Sequence, residues 1–290
     1  TFIYKITMNK ILLTGSSGFI GFELLKDLSK NHKVFITLRK KNKNQLKNKN
    51  IVEIYFNNYE TLNKKLKKVR IDTVIHCATH YVKYHNFNDL KKLSESNILF
   101  GNIILENLDK MNVKKFINFS TVWENYNGEK ENYFNLYAAY KQSFNSLIGF
   151  YKKIYKKTKF FSLIISDTFG QFDKRKKIIN VLKTNYKKNK TTNILSKNLF
   201  LNLLNVSDIN NATKLILKKN IKPGAYVLKN KEDFCISTIV NHINKSSIKK
   251  IKINWLSNKI IKEKIYNYKN LKGWKPLNSK VRDISRLITG

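Results

Sequence analysis

Residues 8–28 read MNKILLTGSSGFIGFELLKDL and combine an apolar run, a glycine-rich turn and a helical pattern. The stretch begins with a short apolar run, 10–14, that is typical of a buried parallel strand, and it ends in an amphipathic helix. Between them stand three glycines at three-residue spacing, with two apolar residues before the last: Gly15, Gly18, Phe19, Ile20 and Gly21. Such glycines permit a tight turn and the close approach of a pyrophosphate, and the helix N-terminus offers unpaired N–H groups. We therefore predict a dinucleotide site here, with a purely structural turn as the alternative.

Apolar runs recur along the chain and alternate with helical patterns. The runs that we assign to further strands of the same sheet are 33–38, 51–56, 73–76, 114–119 and 159–166. Strands that alternate with helices predict a parallel sheet with helices on both faces, the doubly wound Rossmann type. The fold class is therefore α/β, with residues 8–166 as a Rossmann-type NAD(P)-binding domain. We expect residues 167–290 to form mainly a smaller mixed region, with elements that return to the Rossmann core.

The end of the second strand bears on the choice of cofactor. NAD-specific folds usually place an Asp or Glu at this point, where it binds the ribose hydroxyls. This chain has Arg39 there, followed by Lys40 and Lys41. A cation suits the 2′-phosphate of NADP(H), so we predict NADP(H) rather than NAD. The alternative is that these are three more exposed basic residues of a lysine-rich chain, in which case NAD stays possible.

Small and polar residues stand where the fourth predicted strand ends and where the next helix, predicted at 96–108, begins. They are Cys77, Ala78, Thr79 and Asn97. In an open parallel sheet, ligands bind along the carboxyl ends of the strands, so we predict that these four residues line the cofactor site. The neighbouring His76 and His80 are expected to be packing or loop residues rather than ligands.

A Tyr-x-x-x-Lys pair lies on the long helix predicted at 136–155, LYAAYKQSFNSLIGFYKKIY. Residues four apart share one face of a helix, so the phenol of Tyr137 and the ammonium of Lys141 point into the same space. A tyrosine has a pKa near ~10, and a cation about 4 Å away lowers it by roughly three units at an effective dielectric of ~20. The pair can therefore act as a general acid or base. The alternative for an isolated pair is a helix face along which the lysine extends to solvent.

The chain carries a large positive charge. Its 57 Lys and Arg outnumber 19 Asp and Glu, which gives a net charge of +38. The basic residues are spread along the whole chain together with Asn, Ile, Tyr and Phe, whose codons are rich in A and T. A biased genome composition therefore explains the charge better than a specific nucleic-acid site does. We expect nucleic acid to bind only non-specifically.

The remaining composition is that of a globular protein. The hydrophobic fraction of 42% suffices for a core, and no stretch approaches 18 uninterrupted apolar residues, so no membrane span is expected. Cys77 and Cys235 are too few for a disulfide framework and have no zinc-ligand spacing, so we predict no metal site. The first residues, TFIYKITMNK, lack the apolar core of a signal peptide, and a cytoplasmic location is the default expectation. We expect residues 1–7 to add nothing to the fold.

These motifs resemble one known family. TGSSGFIG, the HCAT turn, Asn97, the FST that ends the fifth strand, and Tyr137 with Lys141 resemble the extended short-chain dehydrogenases/reductases of the NAD(P)-dependent nucleotide-sugar epimerase/dehydratase type. The segment from FINFSTVWENYN to NLYAAYKQSF is most similar to sugar-nucleotide 4-ketoreductases such as the CDP-abequose and CDP-paratose synthases. Those enzymes have a Trp-Gln-x-Tyr run after the catalytic hydroxyl, whereas this chain has Glu124 after Trp123. The likeness continues to a Gly-Trp-x-Pro turn near the end and so covers nearly the whole chain.

The resemblance implies roles for individual residues. Tyr137 would exchange a proton with the sugar oxygen, and Lys141 would lower the pKa of that tyrosine and hold the nicotinamide ribose. Thr121 would hydrogen-bond the reacting oxygen, with Ser120 as the less favoured candidate. The substrate, a nucleotide-diphosphate sugar, would contact residues from both halves of the chain: Trp123, Asp167, Thr168 and Arg175.

Three functions stay open at this point. The first is an NADP(H)-dependent nucleotide-sugar 4-ketoreductase of deoxysugar biosynthesis for surface polysaccharide. The second is a nucleotide-sugar 4-epimerase that retains NAD tightly, and the third is a degenerate dehydrogenase-like protein that binds RNA. A 4,6-dehydratase is disfavoured because that group carries Asp-Glu directly after its catalytic Thr, where this chain has Val-Trp. The resemblance also implies a homodimer built on a four-helix bundle, to which 136–155 and 98–108 would contribute.

Overall fold

The computed structural model describes residues 8–40 and 46–290. In chain order, the strands are β1 (Lys10–Thr14), β2 (Lys33–Leu38), β3 (Ile51–Tyr55), β4 (Thr73–His76), β5 (Lys115–Thr121), β6 (Lys159–Ile165), β7 (Asp167–Phe169), β8 (Thr192–Ile194), β9 (Leu199–Leu201), β10 (Leu203–Asn205), β11 (Gly224–Leu228), β12 (Phe234–Cys235), β13 (Ile253–Trp255) and β14 (Ile261–Lys262). The α-helices are α1 (Phe19–Leu28), α2 (Tyr59–Leu66), α3 (Asp89–Ser94), α4 (Phe100–Glu106), α5 (Leu108–Met111), α6 (Leu136–Ile154), α7 (Ile178–Lys187), α8 (Val206–Lys218), α9 (Ile236–Ser246) and α10 (Val281–Thr289). A π-helical turn, Glu95–Leu99, joins α3 to α4, and a 3₁₀ segment, Val122–Gly128, follows β5.

Seven strands form one sheet in the order β11-β6-β5-β4-β1-β2-β3. The neighbouring pairs among β1 to β5 are all parallel. The strand order reverses between β1 and β4, which is the place where an open α/β sheet binds its ligand. The register pairs Thr14 with His76, the last residues of these two strands, so Gly15 and Cys77 leave the sheet side by side. The predicted doubly wound α/β fold is confirmed.

The observed elements differ from the predicted ones at two places near the site. The helix predicted at 96–108 starts earlier, at Asp89. The prediction missed its first turns because their sequence, DLKKLSES, is polar and shows no clear helical period. It ends at Glu106, and Asn107 separates it from α5. The strand predicted at 159–166 ends at Ile165, and Asp167–Phe169 form a separate short strand, β7, that pairs in parallel with β10.

The described chain divides into two compact units. The first comprises residues up to 125, 131–164 and 220–226, and the second comprises 126–130, 165–219 and 227–290. In the first unit, buried side chains of the sheet pack against α2, α4 and α6; examples are Leu12, Val74, Phe116, Ile104 and Phe144. Complete burial of one such side chain contributes about 1.5–3 kcal/mol, so this core fixes the sheet and the helices that carry the site.

The second unit is of mixed type. It contains three small sheets, β10-β7, β12-β9-β14 and β13-β8, with both parallel and antiparallel pairs. Helix α10 packs against α7 and α9. Their core is formed mainly by aliphatic side chains, among them Leu182, Ile239, Ile243, Ile284 and Ile288.

A buried carboxylate ties the C-terminal turn to α8. The fully buried Asp208 accepts hydrogen bonds from the N–H of Leu277 at 2.9 Å, the side-chain amide of Asn278 at 2.9 Å and the hydroxyl of Ser279 at 2.7 Å. The indole N–H of Trp274 donates to the Asp208 carbonyl at 2.9 Å. Asp208 thus holds the Gly-Trp-x-Pro turn through its backbone carbonyl and the residues that follow the turn through its side chain.

Two kinds of feature are absent from the described ranges. No helix within them combines the length and the apolar character that crossing a membrane requires. They also contain no group of three or more His, Cys, Asp and Glu side chains arranged to hold a metal ion.

Candidate active site

The glycine loop and the turn after β4 meet where the strand order reverses. Gly15 has a φ of +69°, which a residue with a side chain rarely adopts. A Cβ on Gly15 would lie 2.6 Å from the Ala78 backbone nitrogen, and a Cβ on Gly21 would lie 2.1 Å from the Gly15 carbonyl oxygen. Both positions therefore require glycine, and the loop presents bare backbone at the carboxyl end of the sheet.

The first turn of α1 faces this loop. It contains Phe19 and Ile20, which are both half-buried, and it follows the extended N-cap residue Gly18 (φ −80°, ψ 166°). The N-cap residue has no side chain that could cap the helix. The N–H groups of the first turn stand at the positive end of the helix dipole, and such a place favours a phosphate. The loop and helix therefore fit a dinucleotide pyrophosphate.

Asn97 holds the turn after β4. It is 2% exposed and lies in the π turn, an arrangement that is frequent at functional sites. Its Oδ1 accepts hydrogen bonds from the His80 N–H at 2.6 Å and the Thr79 hydroxyl at 3.1 Å, and its Nδ2 donates to the His80 carbonyl at 3.0 Å. The structure thus brings Asn97 to the predicted strand end, where its amide fixes the backbone of the turn.

His76 is a packing residue. Its ring lies 5.0–6.2 Å from the ring centres of Phe100, Phe116 and Phe144, and its Nδ1 is hydrogen-bonded to the Thr14 hydroxyl at 2.9 Å. Burial, with a smaller contribution from the nearby lysine of α6, lowers the pKa of His76 to about 3. The ring is therefore neutral at physiological pH.

Arg39 is held at the end of β2 by aromatic rings. Its Nη2 donates to the Tyr59 hydroxyl at 2.8 Å, and its guanidinium lies 5.7 Å from the centre of the Tyr59 ring and 5.9 Å from that of Phe56. Both distances are typical of cation–π contacts. Arg39 and Lys40 are exposed, and Lys41 lies outside the described residues. The result is an oriented cation at the end of β2.

A buried carboxylate organises the end of β5. Glu124 is 3% exposed and accepts hydrogen bonds from the Ser120 hydroxyl, from the Thr121 N–H at 3.4 Å and from Nδ2 of Asn145 at 2.8 Å. The Ser120 hydroxyl hydrogen is thereby committed to Glu124. Thr121 Oγ1 accepts from the Trp123 N–H at 3.3 Å, which leaves the Thr121 hydroxyl hydrogen available to a ligand.

Helix α6 carries Tyr137 and Lys141 in its first two turns. The helix begins where the side chain of Asn135 accepts a hydrogen bond from the Ala138 N–H at 3.0 Å, a standard N-cap. Tyr137 is half-buried and packs edge to face against the Tyr81 ring, with 5.1 Å between ring centres. Lys141 is only 5% exposed. This burial contradicts the alternative of a lysine that extends to solvent.

Aromatic rings continue from Tyr137 along this side of the sheet end. The ring of Trp123, predicted to contact substrate, lies 4.9 Å from that of Phe134 and 6.1 Å from that of Tyr81. Sequence reasoning missed Tyr81 and Phe134, because single aromatic residues in loops carry no periodicity. The rings of Tyr81, Trp123 and Phe134 together form a rigid apolar surface next to the phenol of Tyr137.

The electrostatics of this region centre on Lys141. Burial lowers the pKa of the Lys141 ammonium, while Glu124 and then Cys77 oppose that change. Burial raises the pKa of Glu124 to about 7, against the opposing effects of the Ser120 hydrogen bond and of Lys141. Burial also raises the pKa of the Cys77 thiol. Glu124 follows β5 and Cys77 follows β4, so the groups that raise the pKa of Lys141 stand at the ends of these two strands.

The predicted substrate residues of the second unit form a cluster of their own. Arg175 donates from Nε and Nη2 to the two carboxylate oxygens of Asp173, each at 2.7 Å. Its Nη2 also donates to the Thr168 carbonyl and hydroxyl at 3.0 and 2.8 Å. Asp167 is paired with Lys177. Sequence reasoning missed Asp173 and Lys177, since charges in a lysine-rich segment give no sign of such pairing.

Comparison with known proteins adds to this geometry. The profile of the NAD dependent epimerase/dehydratase family matches residues 11–228. A CDP-abequose synthase of Yersinia pseudotuberculosis is 27% identical over 212 residues, which are 73% of this chain and 74% of that protein. A dTDP-D-glucose 4,6-dehydratase of Dictyostelium discoideum is 33% identical over 126 residues, 39% of this chain and 29% of that protein.

Solved structures agree on the fold. The UDP-glucuronic acid 4-epimerase of Bacillus cereus, solved with NAD, superposes with a TM-score of 0.77 at 22% identity, over 97% of this chain and 98% of that one. The UDP-N-acetylglucosamine 4-epimerase of Methanobrevibacter ruminantium has a TM-score of 0.78 at 17% identity, over 97% and 98% of the two chains. Because the family profile matches well over half of the sequence, the chain belongs to the NAD dependent epimerase/dehydratase family.

Proposed function

We propose that this protein is an NADP(H)-dependent nucleotide-sugar 4-ketoreductase. The observation that carries the proposal is the buried Lys141, which follows Tyr137 by four residues on α6. Family membership makes the chain an NAD(P)-dependent sugar-nucleotide enzyme. The choice of ketone reduction is supported by the similarity to CDP-abequose synthase and by the segment from FST to the Tyr-Lys helix.

The side chains of the first unit suit this reaction. When bound, the reduced nicotinamide supplies a hydride to the carbonyl carbon of the sugar, and the protein must then supply a proton to the carbonyl oxygen. Tyr137 donates that proton, because the Lys141 ammonium favours the phenolate that remains. The Thr121 hydroxyl donates a hydrogen bond to the same oxygen, and such a donor contributes about 3 kcal/mol to the transition state. The products are the C4 alcohol and the oxidised cofactor.

Two arginines support the choice of ligands. Arg39, fixed by the rings of Phe56 and Tyr59, is the residue that we assign to the 2′-phosphate of NADP(H). Arg175, held in one orientation by Asp173, is the residue that we assign to the diphosphate of the sugar nucleotide. The glycine loop, the turn after β4 and Lys141 complete the cofactor site in this proposal.

We further propose a cytoplasmic homodimer that encloses the outer faces of α4 and α6. Apolar side chains remain exposed on or next to these helices: Leu99 at 43%, Phe150 at 57% and Ile154 at 52%. Two copies related by a two-fold axis would bury this patch in a four-helix bundle.

The main test is turnover by purified protein. NADPH oxidation is followed with a panel of 4-keto-6-deoxy sugar nucleotides that differ in base. Tyr137→Phe should lower turnover by about 10²–10⁴-fold, because it removes the proton donor and leaves the ring in place. Tyr140→Phe is the matched control on the same helix, since the Tyr140 hydroxyl is bonded to Ser94 instead. Near-normal turnover by Tyr137→Phe would show that the assignment is wrong.

A 4-epimerase with tightly bound NAD is the second candidate. The related epimerase structures that contain NAD favour it. Native mass spectrometry and a turnover assay separate the two, because an epimerase should co-purify with NAD and interconvert two sugar nucleotides without consuming NADPH.

The RNA-binding alternative is tested by titrating a structured RNA at two salt concentrations. Non-specific binding by Lys and Arg should weaken by about 10³–10⁵-fold between roughly 50 and 200 mM salt, whereas selective binding that survives would favour that alternative.

A further inference from the structure

Asn145 continues the side of α6 that carries Tyr137 and Lys141. It lies four residues after Lys141 and eight after Tyr137, and residues at this spacing follow one side of a helix. Its side chain is half-buried and makes hydrogen bonds with residues outside the helix. The side of the helix that carries the reactive phenol therefore also carries an amide that is bonded to another element.

The amide of Asn145 joins α6 to β5 and to the segment that follows it. Its Nδ2 donates to the Ser120 hydroxyl oxygen at 3.0 Å and to Oε2 of Glu124 at 2.8 Å. Its Oδ1 accepts a hydrogen bond from Nδ2 of Asn118 at 3.2 Å. Because only the NH2 group can donate and a carboxylate can only accept, Glu124 determines which way round the amide stands.

The same carboxylate holds the backbone at Thr121. The second oxygen of Glu124, Oε1, accepts hydrogen bonds from the Ser120 hydroxyl and from the Thr121 N–H, the latter at 3.4 Å. Glu124 is buried, so bulk water does not compete for these bonds. The two oxygens of one carboxylate thus connect α6, through Asn145, with the residue that we assign to the reacting oxygen.

Directional bonds matter here because apolar packing alone leaves the rotation of a helix loosely defined. Phe144 and Ile148 of α6 are buried in the core of the first unit, but apolar contacts have no preferred direction. A rotation of α6 by about 10° moves an atom that lies about 6 Å from its axis by roughly 1 Å. A misplacement of about 1 Å can lower the rate of a reaction by roughly 100-fold.

We propose that Asn145 and Glu124 are positioning residues, a hydrogen-bonded pair that fixes the rotation of α6 against the end of β5 and so places Tyr137 relative to the Thr121 hydroxyl. The roles of Tyr137 and Thr121 rest on the proposed function, whereas the pairing of the amide with the carboxylate does not. The pairing, the catalytic effect and the placement are therefore tested by separate measurements.

The pairing is tested by exchanging the two groups. Glu124→Gln places an NH2 group against either Nδ2 of Asn145 or the N–H of Thr121, and Asn145→Asp places two carboxyl groups side by side, so each single variant breaks the pair. In the double variant the glutamine NH2 donates to the aspartate, and the glutamine oxygen still accepts from Ser120 and Thr121. We expect each single variant to lower the midpoint of urea unfolding and the double variant to recover most of that loss. A double variant that is no more stable than Glu124→Gln, or that does not fold, refutes the pairing.

The catalytic effect is measured as kcat at saturating NADPH and sugar nucleotide, well below the unfolding temperature of each variant. Glu124→Gln and Asn145→Ala should lower kcat by about 10–100-fold, and the double exchange variant should recover most of that loss. Ser146→Ala is the matched control, because Ser146 is exposed and its hydroxyl donates to the Gln142 carbonyl within the helix. If the variants of the pair lose stability but keep kcat, their role is structural only and the proposal is overturned.

Crystal structures measure the placement without reference to activity. In Asn145→Ala we expect the Tyr137 hydroxyl to move by roughly 1 Å relative to Thr121, with no such movement in Ser146→Ala. Glu124→Gln is the second variant for this measurement if Asn145→Ala fails to fold. If the unmodified protein turns over no sugar nucleotide, the proposed reaction fails, and the displacement still decides whether the pair positions the helix. Unchanged positions of Tyr137 and Thr121 would refute that role.

Discussion

Gly21→Ala tests whether the glycine loop is the cofactor site. The new Cβ would lie 2.1 Å from the Gly15 carbonyl oxygen, 2.7 Å from the Gly15 carbonyl carbon and 3.1 Å from the Ser16 Cα. All three atoms belong to the backbone, so no change of rotamer relieves the contact. Helix α1 and the loop must separate by roughly 1 Å, at a cost of about 1–3 kcal/mol in stability.

The loss of cofactor affinity should be larger than the loss of stability suggests. Displacement of the loop moves the N–H groups that are proposed to bind the pyrophosphate, and each hydrogen bond to a charged group contributes about 1.5–3 kcal/mol. Loss of one such bond lowers affinity by roughly 10–100-fold. Gly15 also lies against Ala78, so the disturbance extends to the turn after β4.

The assay is a fluorescence titration with NADPH and NADH beside a thermal melt. Gly149→Ala is the matched control, because a Cβ at this position in α6 meets nothing within 4 Å. Alanine is favoured over glycine in a helix by up to ~1 kcal/mol, so this variant should be as stable as the unmodified protein or more so. The reasoning is refuted if Gly21→Ala binds the cofactor normally, or if Gly149→Ala loses affinity to the same extent.

Four further predictions concern selectivity, stability, pH and assembly. Arg39→Asp should weaken NADPH binding at least about tenfold and leave NADH binding unchanged, since a carboxylate repels the 2′-phosphate. Equal affinity of the unmodified protein for both cofactors would contradict the assignment of Arg39 to that phosphate. Asp208→Asn should lower the free energy of unfolding by about 2–3 kcal/mol in urea denaturation, because the donors of 277–279 lose a charged acceptor. Folding raises the pKa of Glu124 from 4.5 to about 7, so its contribution to the free energy of unfolding is complete below about pH 4.5 and is lost as the pH rises through about 7. In Glu124→Gln, the change in the free energy of unfolding between about pH 5 and pH 8 should therefore be smaller by roughly 3 kcal/mol. Light scattering at micromolar concentration should give a dimer, and a monomer would count against the interface proposed on α4 and α6.

The frame of the site could be predicted because its signals are local. The apolar run before Gly15 and the helix after Gly21 have clear periodicity, and β1, β2 and β4 have the predicted bounds. Helix α6 was predictable to within one residue for the same reason. Parallel pairing then follows from the alternation of strands and helices, which brings the ends of β1 and β4 together without further information.

The contacts within the site could not be predicted, because they depend on burial. In a lysine-rich chain, Lys141 could equally have been a surface residue, and only the packed structure shows that its side chain is buried. The π turn that directs Asn97 to the backbone of His80 has no sequence pattern of its own. Arg175 was predicted, but Asp173, which orients it, was not.

The choice between the two strand-end hydroxyls shows how one buried charge changes the interpretation of its neighbours. From sequence, Thr121 is the favoured donor for a reacting oxygen and Ser120 is the second candidate. In the structure, the Ser120 hydroxyl donates to Glu124, which supports our proposal that Thr121 bonds the reacting oxygen. The two oxygens of Glu124 accept hydrogen bonds from Ser120, Thr121 and Asn145, and a glutamine amide could not accept all three, because its NH2 group would face Nδ2 of Asn145. A carboxyl group is therefore the side chain that these donors require, and its bond to Ser120 is what distinguishes the two hydroxyls.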